Sequence, residues 1–366
     1  MGQLKNIRKK FPVLSKGIYA NTAAAGPMHE NLFDWRQEHE LDLLMGGSKH
    51  FFSGLRAIDY SRTRIAEFFG CSVDQLALVP NFSLGMNLLV QMLPKNKNVL
   101  LVEEDYPSVN WPFERHDFKL ERIGVGQFLE DEIHTAIKEK KINILALSLV
   151  QWLSGILLDL DFLKRLKKDN PDLTIIADGT QFCGMFPFEF KNSGIDVLLS
   201  SGYKWMLAGY GNGFMLFQEG FMKEHTPTVI GFNSADGNID QKENILFCKY
   251  FEPGHLDSLA MGSFGVSIDF LNEIGMDKIN EQNKKLSEHF TTRFLELGLL
   301  SEWVGARNKH STIFNVKADN AMYARLKENG VLGAQRGGGI RFSFNFYNSQ
   351  EELDFIANLF KDYPKP

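Results

Sequence analysis

The chain has 366 residues, 44% of them hydrophobic and 23% charged, with a formal net charge of −5. Such a length exceeds an ordinary single domain and predicts two domains sharing an interface. Mild acidity excludes a dedicated nucleic-acid binder, which needs a strong basic excess, and no apolar run reaches the ~18 residues that a membrane span requires.

Other global features narrow the class further. Cys71, Cys183 and Cys248 lie far apart with no metal-ligand spacing. This sparse, odd usage fits a reducing cytoplasm and small buried side chains, and no metal site is expected. The opening stretch is basic but lacks the apolar run of a secretory signal, and Asn6 stands where a myristoylation signal needs Ser or Thr. The 31 phenylalanines predict a large core with aromatic pockets.

In chain order, the first 70 residues read as mainly helical after an irregular start, and Ile65–Phe69 runs into Gly70 as a helix stop. Short apolar runs follow at Leu76–Pro80, Val99–Glu103, Ile142–Val150, Leu173–Asp178, Val197–Ser200 and Phe214–Phe217. Helical stretches at Leu84–Leu93, Glu130–Glu139 and Leu160–Lys168 alternate with them. Continuous hydrophobicity means strands buried on both faces, so this alternation predicts an α/β fold with a mostly parallel, doubly wound sheet. Residues 219–250 are polar and read as surface loop. A helical stretch then runs from Ser263 to about Leu299. The tail mixes strands (Ser311–Val316, Ile340–Phe344) with helices (Ala321–Glu328, Glu351–Phe360), a smaller α+β domain.

In open parallel sheets ligands bind beyond the carboxyl ends of the strands. Asn81 and Ser83, Glu104 and Asp105, Asp178, and Ser201 to Lys204 all fall at those ends. Asp178 alone reads as a strand-end cap, and Lys204 alone as a snorkelling surface lysine. Together they read differently. They lie one strand–loop–strand step apart, which sets two neighbouring strand ends side by side. A carboxylate for a pyridinium nitrogen and a lysine for an imine is the equipment that pyridoxal 5′-phosphate demands.

With these residues in order, the chain resembles the class V aminotransferases of the aspartate aminotransferase fold. That family includes cysteine desulfurases, kynureninase and isopenicillin N epimerase-like enzymes. The resemblance runs from Tyr19-Ala-Asn-Thr-Ala-Ala-Ala-Gly-Pro27 to Ile340-Arg-Phe-Ser-Phe-Asn-Phe-Tyr-Asn348. It implies a fold type I pyridoxal-phosphate enzyme, with a large domain over residues 18–255 and a small one from residues 1–17 plus 256–366. It also implies a Schiff base on Lys204, with Asp178 on the ring nitrogen and Gln181 on the ring hydroxyl. Asn81, Phe82 and Ser83, with Ser201 and Tyr203, would hold the phosphate at a helix N-terminus, where orphan N–H groups favour an anion. Tyr106 would stack on the ring, and Arg341 would clamp the carboxylate of an amino or keto acid.

Three departures accompany the match. No cysteine follows Cys248, and the desulfurase loop is replaced by Gly333-Ala-Gln-Arg-Gly-Gly-Gly-Ile340, which disfavours the persulfide route. Trp152 replaces an asparagine that would contact the ring hydroxyl, with Gln151 as the compensating candidate. His255 stands where a threonine reaches the phosphate of the partner subunit, a position that implies a homodimer and leaves both a proton-transfer and a structural role open. An aminotransferase is the first expectation and a kynureninase-like or C–S lyase, or an epimerase, the second. A non-catalytic binding protein of this fold, and an α/β protein for another phosphorylated ligand, stand behind them.

Overall fold

The computed structural model describes residues 6–307, 309–361 and 363. The readings made on Met1–Lys5, including those about a leader and a lipid signal, fall outside the described residues.

The chain opens with β1 (Ile18–Tyr19), followed by the helices Glu30–Gly46 and Phe51–Phe69; the second ends at Gly70 in the left-handed conformation, as the sequence predicts. Next come β2 (Leu76–Val79), β3 (Asn98–Val102), β4 (Lys119–Ile123), β5 (Ile144–Ser148), β6 (Thr174–Asp178), β7 (Val197–Ser201) and β8 (Gly213–Phe217). They form one sheet in the order β2-β8-β7-β6-β5-β3-β4. Only β8 opposes its neighbours, so the other six strands point their carboxyl ends to one edge.

The alternation of side chains explains why these runs are continuously apolar. Leu76, Leu78, Leu100, Leu145, Ile175, Leu198 and Phe214 enter one core. Their neighbours Ala77, Val79, Val99, Leu101, Ala146, Ile176, Leu199 and Met215 enter another on the opposite face. Helices cover both faces, so the buried polar side chains of β6 and β7 are confined to the carboxyl ends of the strands, as at Asp178 and Ser201. β4 was not foreseen because its residues Lys119–Ile123 are at best half-buried, the pattern of a charged edge strand.

Beyond the sheet, the stretch read as loop contains the helix Glu219–Glu224. The long helix expected from Ser263 is two helices, Ser258–Ile274 and Met276–Glu296, broken at Gly275, whose φ of 91° no helix accommodates. A second sheet joins β9 (Ile313–Val316), β11 (Ala334–Arg336) and β12 (Gly339–Ser343), while β10 (Val331–Leu332) pairs with β1. Phe290, Phe294, Phe314, Phe342, Phe344 and Phe360 form its core with Ala20. Phe290 stacks on Phe294 at 3.8 Å and on Phe314 at 4.3 Å, so the phenylalanine excess is spent largely on packing.

Candidate active site

Strand direction assembles the site. Lys204 follows β7 in a tight turn, with Leu207 held at a φ of 58° and Ala208 N–H bonded back to Gly202 O at 2.9 Å. The turn is locked from the other side. Gly26 N–H donates to Tyr203 O at 2.8 Å, and a Cβ on Gly26 would stand 2.0 Å from Lys204 O. Only glycine allows that approach.

Lys204 is 6% exposed, and its side chain makes no hydrogen bond or ion pair among the described residues. Its ammonium lies 5.5 Å from the ring centres of both Tyr106 and Tyr203. Burial pushes its pKa down to about 8; Asp178 opposes this, while Arg341 and Arg336 add to it. Asp178 ends the adjacent strand and is equally buried. Burial pushes its carboxyl up to about 6, against the hydrogen bonds from Thr180 and the Lys204 charge, with Asp105 adding to the rise. Thr180 N–H donates to Asp178 Oδ1 at 2.8 Å, which fixes the carboxylate. A second buried carboxylate, Asp105, ties β3 to β5: it accepts from Ser148 N at 2.7 Å, Ser148 Oγ at 2.5 Å and Tyr106 N at 2.7 Å.

At the start of the helix Phe82–Met92 the cap is Asn81, which accepts from Leu84 N–H at 2.9 Å, and Ser83 is the second residue of the helix. Phe82 N–H donates to Ser201 Oγ at 2.8 Å, and Ser83 Oγ donates to Ser108 Oγ at 2.8 Å. Asn81, Phe82, Ser83 and Ser201 are thus brought together, with Ser108 as an addition.

Gln181 donates from Nε2 to Ala23 O at 3.0 Å and accepts from Trp205 Nε1 at 2.6 Å. It rivets the opening segment to the lysine turn and keeps one amide hydrogen for another partner. Gln151 turns into its own loop: Oε1 accepts from Leu153 N, Ser154 N and Ser154 Oγ, and Nε2 donates to Glu104 O at 2.7 Å. That loop presents Trp152, whose indole donates to Glu104 O at 3.1 Å and meets Tyr106 edge-on at 5.7 Å.

The facing wall comes from the second sheet. Along β12, Ile340 and Phe342 enter the phenylalanine core, so Arg341 and Ser343 face the other way. Ser343 Oγ accepts from Ala23 N at 2.9 Å. Arg341 is 2% exposed; among the described residues its side chain donates one bond, to Trp152 O at 2.8 Å, and leaves Nε without a partner. An orphaned buried donor costs about 1–3 kcal/mol, a cost that an arriving carboxylate removes. Burial, then Arg336, pushes the Arg341 pKa down to about 10.

His255 is not part of this cluster. It is exposed near Phe51 and Phe232, on a cavity of about 410 Å³ that His50 and Arg62 also line. Trp205, Thr180, Ser108 and Arg336 escaped sequence reading; the first three neighbour predicted positions, and a search of strand-flanking turns could have found them.

A buried lysine whose side chain has no hydrogen bond among the described residues, a buried carboxylate on the adjacent strand end, a tyrosine ring and a helix N-terminus suit an aldehyde cofactor with a ring nitrogen and a phosphate. Pyridoxal phosphate fits that donor set. These features define a pyridoxal-phosphate enzyme of amino-acid metabolism. The description Aminotransferase class-V matches residues 48–356, and the chain belongs to that family. A probable cysteine desulfurase of Pyrococcus abyssi is 24% identical over 99% of this chain and 98% of its own. The cysteine desulfurase of Thermococcus onnurineus superposes with a TM-score of 0.86 at 20% identity, over 97% of this chain and 96% of that one. The cystine C–S lyase C-DES, solved with its reaction product cysteine persulfide, superposes with a TM-score of 0.83 at 17% identity, over 97% and 100%. The fold is fold type I, and the cofactor is pyridoxal 5′-phosphate.

Proposed function

We propose that the chain is an aminotransferase acting on an α-amino acid held between Arg341 and Lys204. The observation that carries this reading is the buried Lys204–Asp178 pair on adjacent strand ends, faced by an arginine whose Nε lacks a partner among the described residues. When bound, pyridoxal phosphate supplies an electron-accepting ring to which the substrate amine is joined. Lys204 is the Schiff-base lysine of this proposal. Its pKa near 8 leaves part of the amine unprotonated at neutral pH, able to take and return the Cα proton. Asp178 meets the ring nitrogen and holds its proton; a cation there would draw the carboxyl back toward its ordinary range. Tyr106 covers the ring, the Asn81–Ser83 helix start and Ser201 receive the phosphate, and Arg341 orients the carboxylate. Gln151 acts through Trp152, which it positions.

Persulfide chemistry on the enzyme needs a thiolate. Burial pushes Cys71 up to about 12 and raises Cys183 and Cys248 as well, so these thiols stay protonated. Elimination on a sulfur-containing substrate needs no such thiol. A C–S lyase is therefore the second reading, supported by the likeness of fold to C-DES. Incubating the purified, cofactor-loaded protein with amino acids and a keto-acid acceptor decides between them. Equal amounts of new keto acid and new amino acid support transamination, whereas pyruvate with ammonia or sulfide overturns it.

The same reading includes a homodimer. Leu44 and Met45 are each 79% exposed and Phe52 67%, an apolar surface beside the cavity that carries His255. Sedimentation of a single monomer species at micromolar concentration overturns this. The three free cysteines support a reducing compartment such as the cytoplasm; among the described residues no helix is long and apolar enough to cross a membrane. The division into residues 18–255 and 1–17 plus 256–366 is kept with one change. The helix Ser258–Ile274 packs on Phe51–Phe69, which argues for moving its second boundary to Gly275.

A further inference from the structure

The hairpin that replaces the desulfurase loop brings a second arginine to the site. Arg336 pairs with Gly339 across a two-residue turn, Gly337 and Gly338, whose φ values of 57° and 71° are the positive pair a type I′ turn requires. This tight turn fixes the register. Ala334 lies opposite Arg341, so Arg336, two residues on, is its diagonal neighbour on the same face. Both guanidinium groups come within 5.9 Å of the Trp152 ring centre. Arg336 also depresses the pKa values of both Arg341 and Lys204, which places its charge within reach of the same space.

Two like charges on one face repel, and neither arginine has an ion pair among the described residues. Arg341 accounts for one carboxylate. Arg336, exposed at the tip and resting on Trp152, is left over. We infer that Arg336 is a specificity-determining residue that binds a second anionic group, and that the substrate is an amino acid with a carboxylate or similar anion on its side chain. This inference rests on the reading of Arg341 as the α-carboxylate site.

Calorimetry on the cofactor-loaded protein tests it without turnover, using succinate and glutarate against butyrate and pentanoate. The diacids should bind about tenfold more tightly than the monoacids of equal length, a preference that added salt weakens. In Arg336→Gln, diacid binding should fall to the monoacid level while monoacid binding stays unchanged, and Arg336→Lys should restore part of the preference. Equal binding of the two classes, failure of both to bind, a preference surviving in Arg336→Gln, or equal weakening of both classes in that variant would each overturn the proposal. The visible spectrum of the same preparation separates the two claims. Protein that carries its cofactor on Lys204 but shows no diacid preference loses only the Arg336 assignment, whereas protein that takes up no pyridoxal phosphate loses the wider reading.

Discussion

The two walls of the site are built on opposite principles. On the lysine wall, charges of both signs sit at the ends of buried parallel strands, and each carboxylate is tied down: Asp178 by Thr180, Asp105 by Ser148 and Tyr106. On the arginine wall, a short hairpin of the small sheet holds two cations with no carboxylate between them among the described residues. The first wall arrives balanced and rigid. The second arrives with charge unspent. A resident cofactor needs fixed, satisfied partners, whereas a visiting substrate gains most from groups that only it satisfies.

If that contrast is right, the largest loss comes from the lysine wall. Lys204→Ala should remove the visible band of lysine-linked pyridoxal phosphate and lower turnover by about 10²–10⁴-fold, the usual scale for a lost acid–base group. Absorption spectra and single-turnover rates check this; an unchanged spectrum would break the assignment.

A smaller effect of different kind is expected opposite. Arg341→Gln should raise KM for amino acids about 100-fold with the cofactor band intact, as expected on losing a buried charge-assisted contact. Loss of the cofactor in that variant would mean that the two walls are not functionally separate.

Smaller again is Tyr106→Leu. Losing the aromatic contact while keeping an apolar side chain should weaken cofactor retention by roughly 2- to 10-fold, matching about 0.5–1.5 kcal/mol for ring stacking. Dialysis followed by titration with fresh cofactor measures it.

The subtlest test is electrostatic coupling across the gap. Competitive acetylation of cofactor-free protein should give a Lys204 midpoint near pH 8. Arg341→Gln should move it upward, since a like charge is removed. The stability sign follows. With its folded pKa below the ordinary 10.5, this lysine binds fewer protons folded than unfolded between about pH 8 and 10.5. Its contribution therefore makes the cofactor-free fold more stable as pH rises through that window. A midpoint at the ordinary lysine value would show that the amine is solvated.

The lysine wall was legible in the sequence for a simple reason. Asp178, Ser201 and Lys204 sit within a few residues of strands whose continuous hydrophobicity is a local signal, and the two strands concerned, β6 and β7, are neighbours in the sheet as in the chain. Arg341 was reached through resemblance, because a lone arginine in a short strand has no local signature. Gln151 differs, because its partners depend on how its own loop folds. Its sequence position fits a cofactor contact, but only the folded loop shows its oxygen consumed by Leu153 and Ser154.

What the sequence determined alone, then, was the layered sheet, the edge where its strands end, and the Asp–Lys pair at that edge. All three follow from periodicity and short-range spacing. Tertiary structure decided what lies opposite. Gly26 against the lysine turn, Ala23 between Gln181 and Ser343, and Arg336 beside Arg341 over Trp152 depend on packing between segments 158 or more residues apart or on hairpin register. Such contacts leave no pattern along the chain, because the side chains that meet are chosen by the packing of whole elements rather than by their neighbours in sequence.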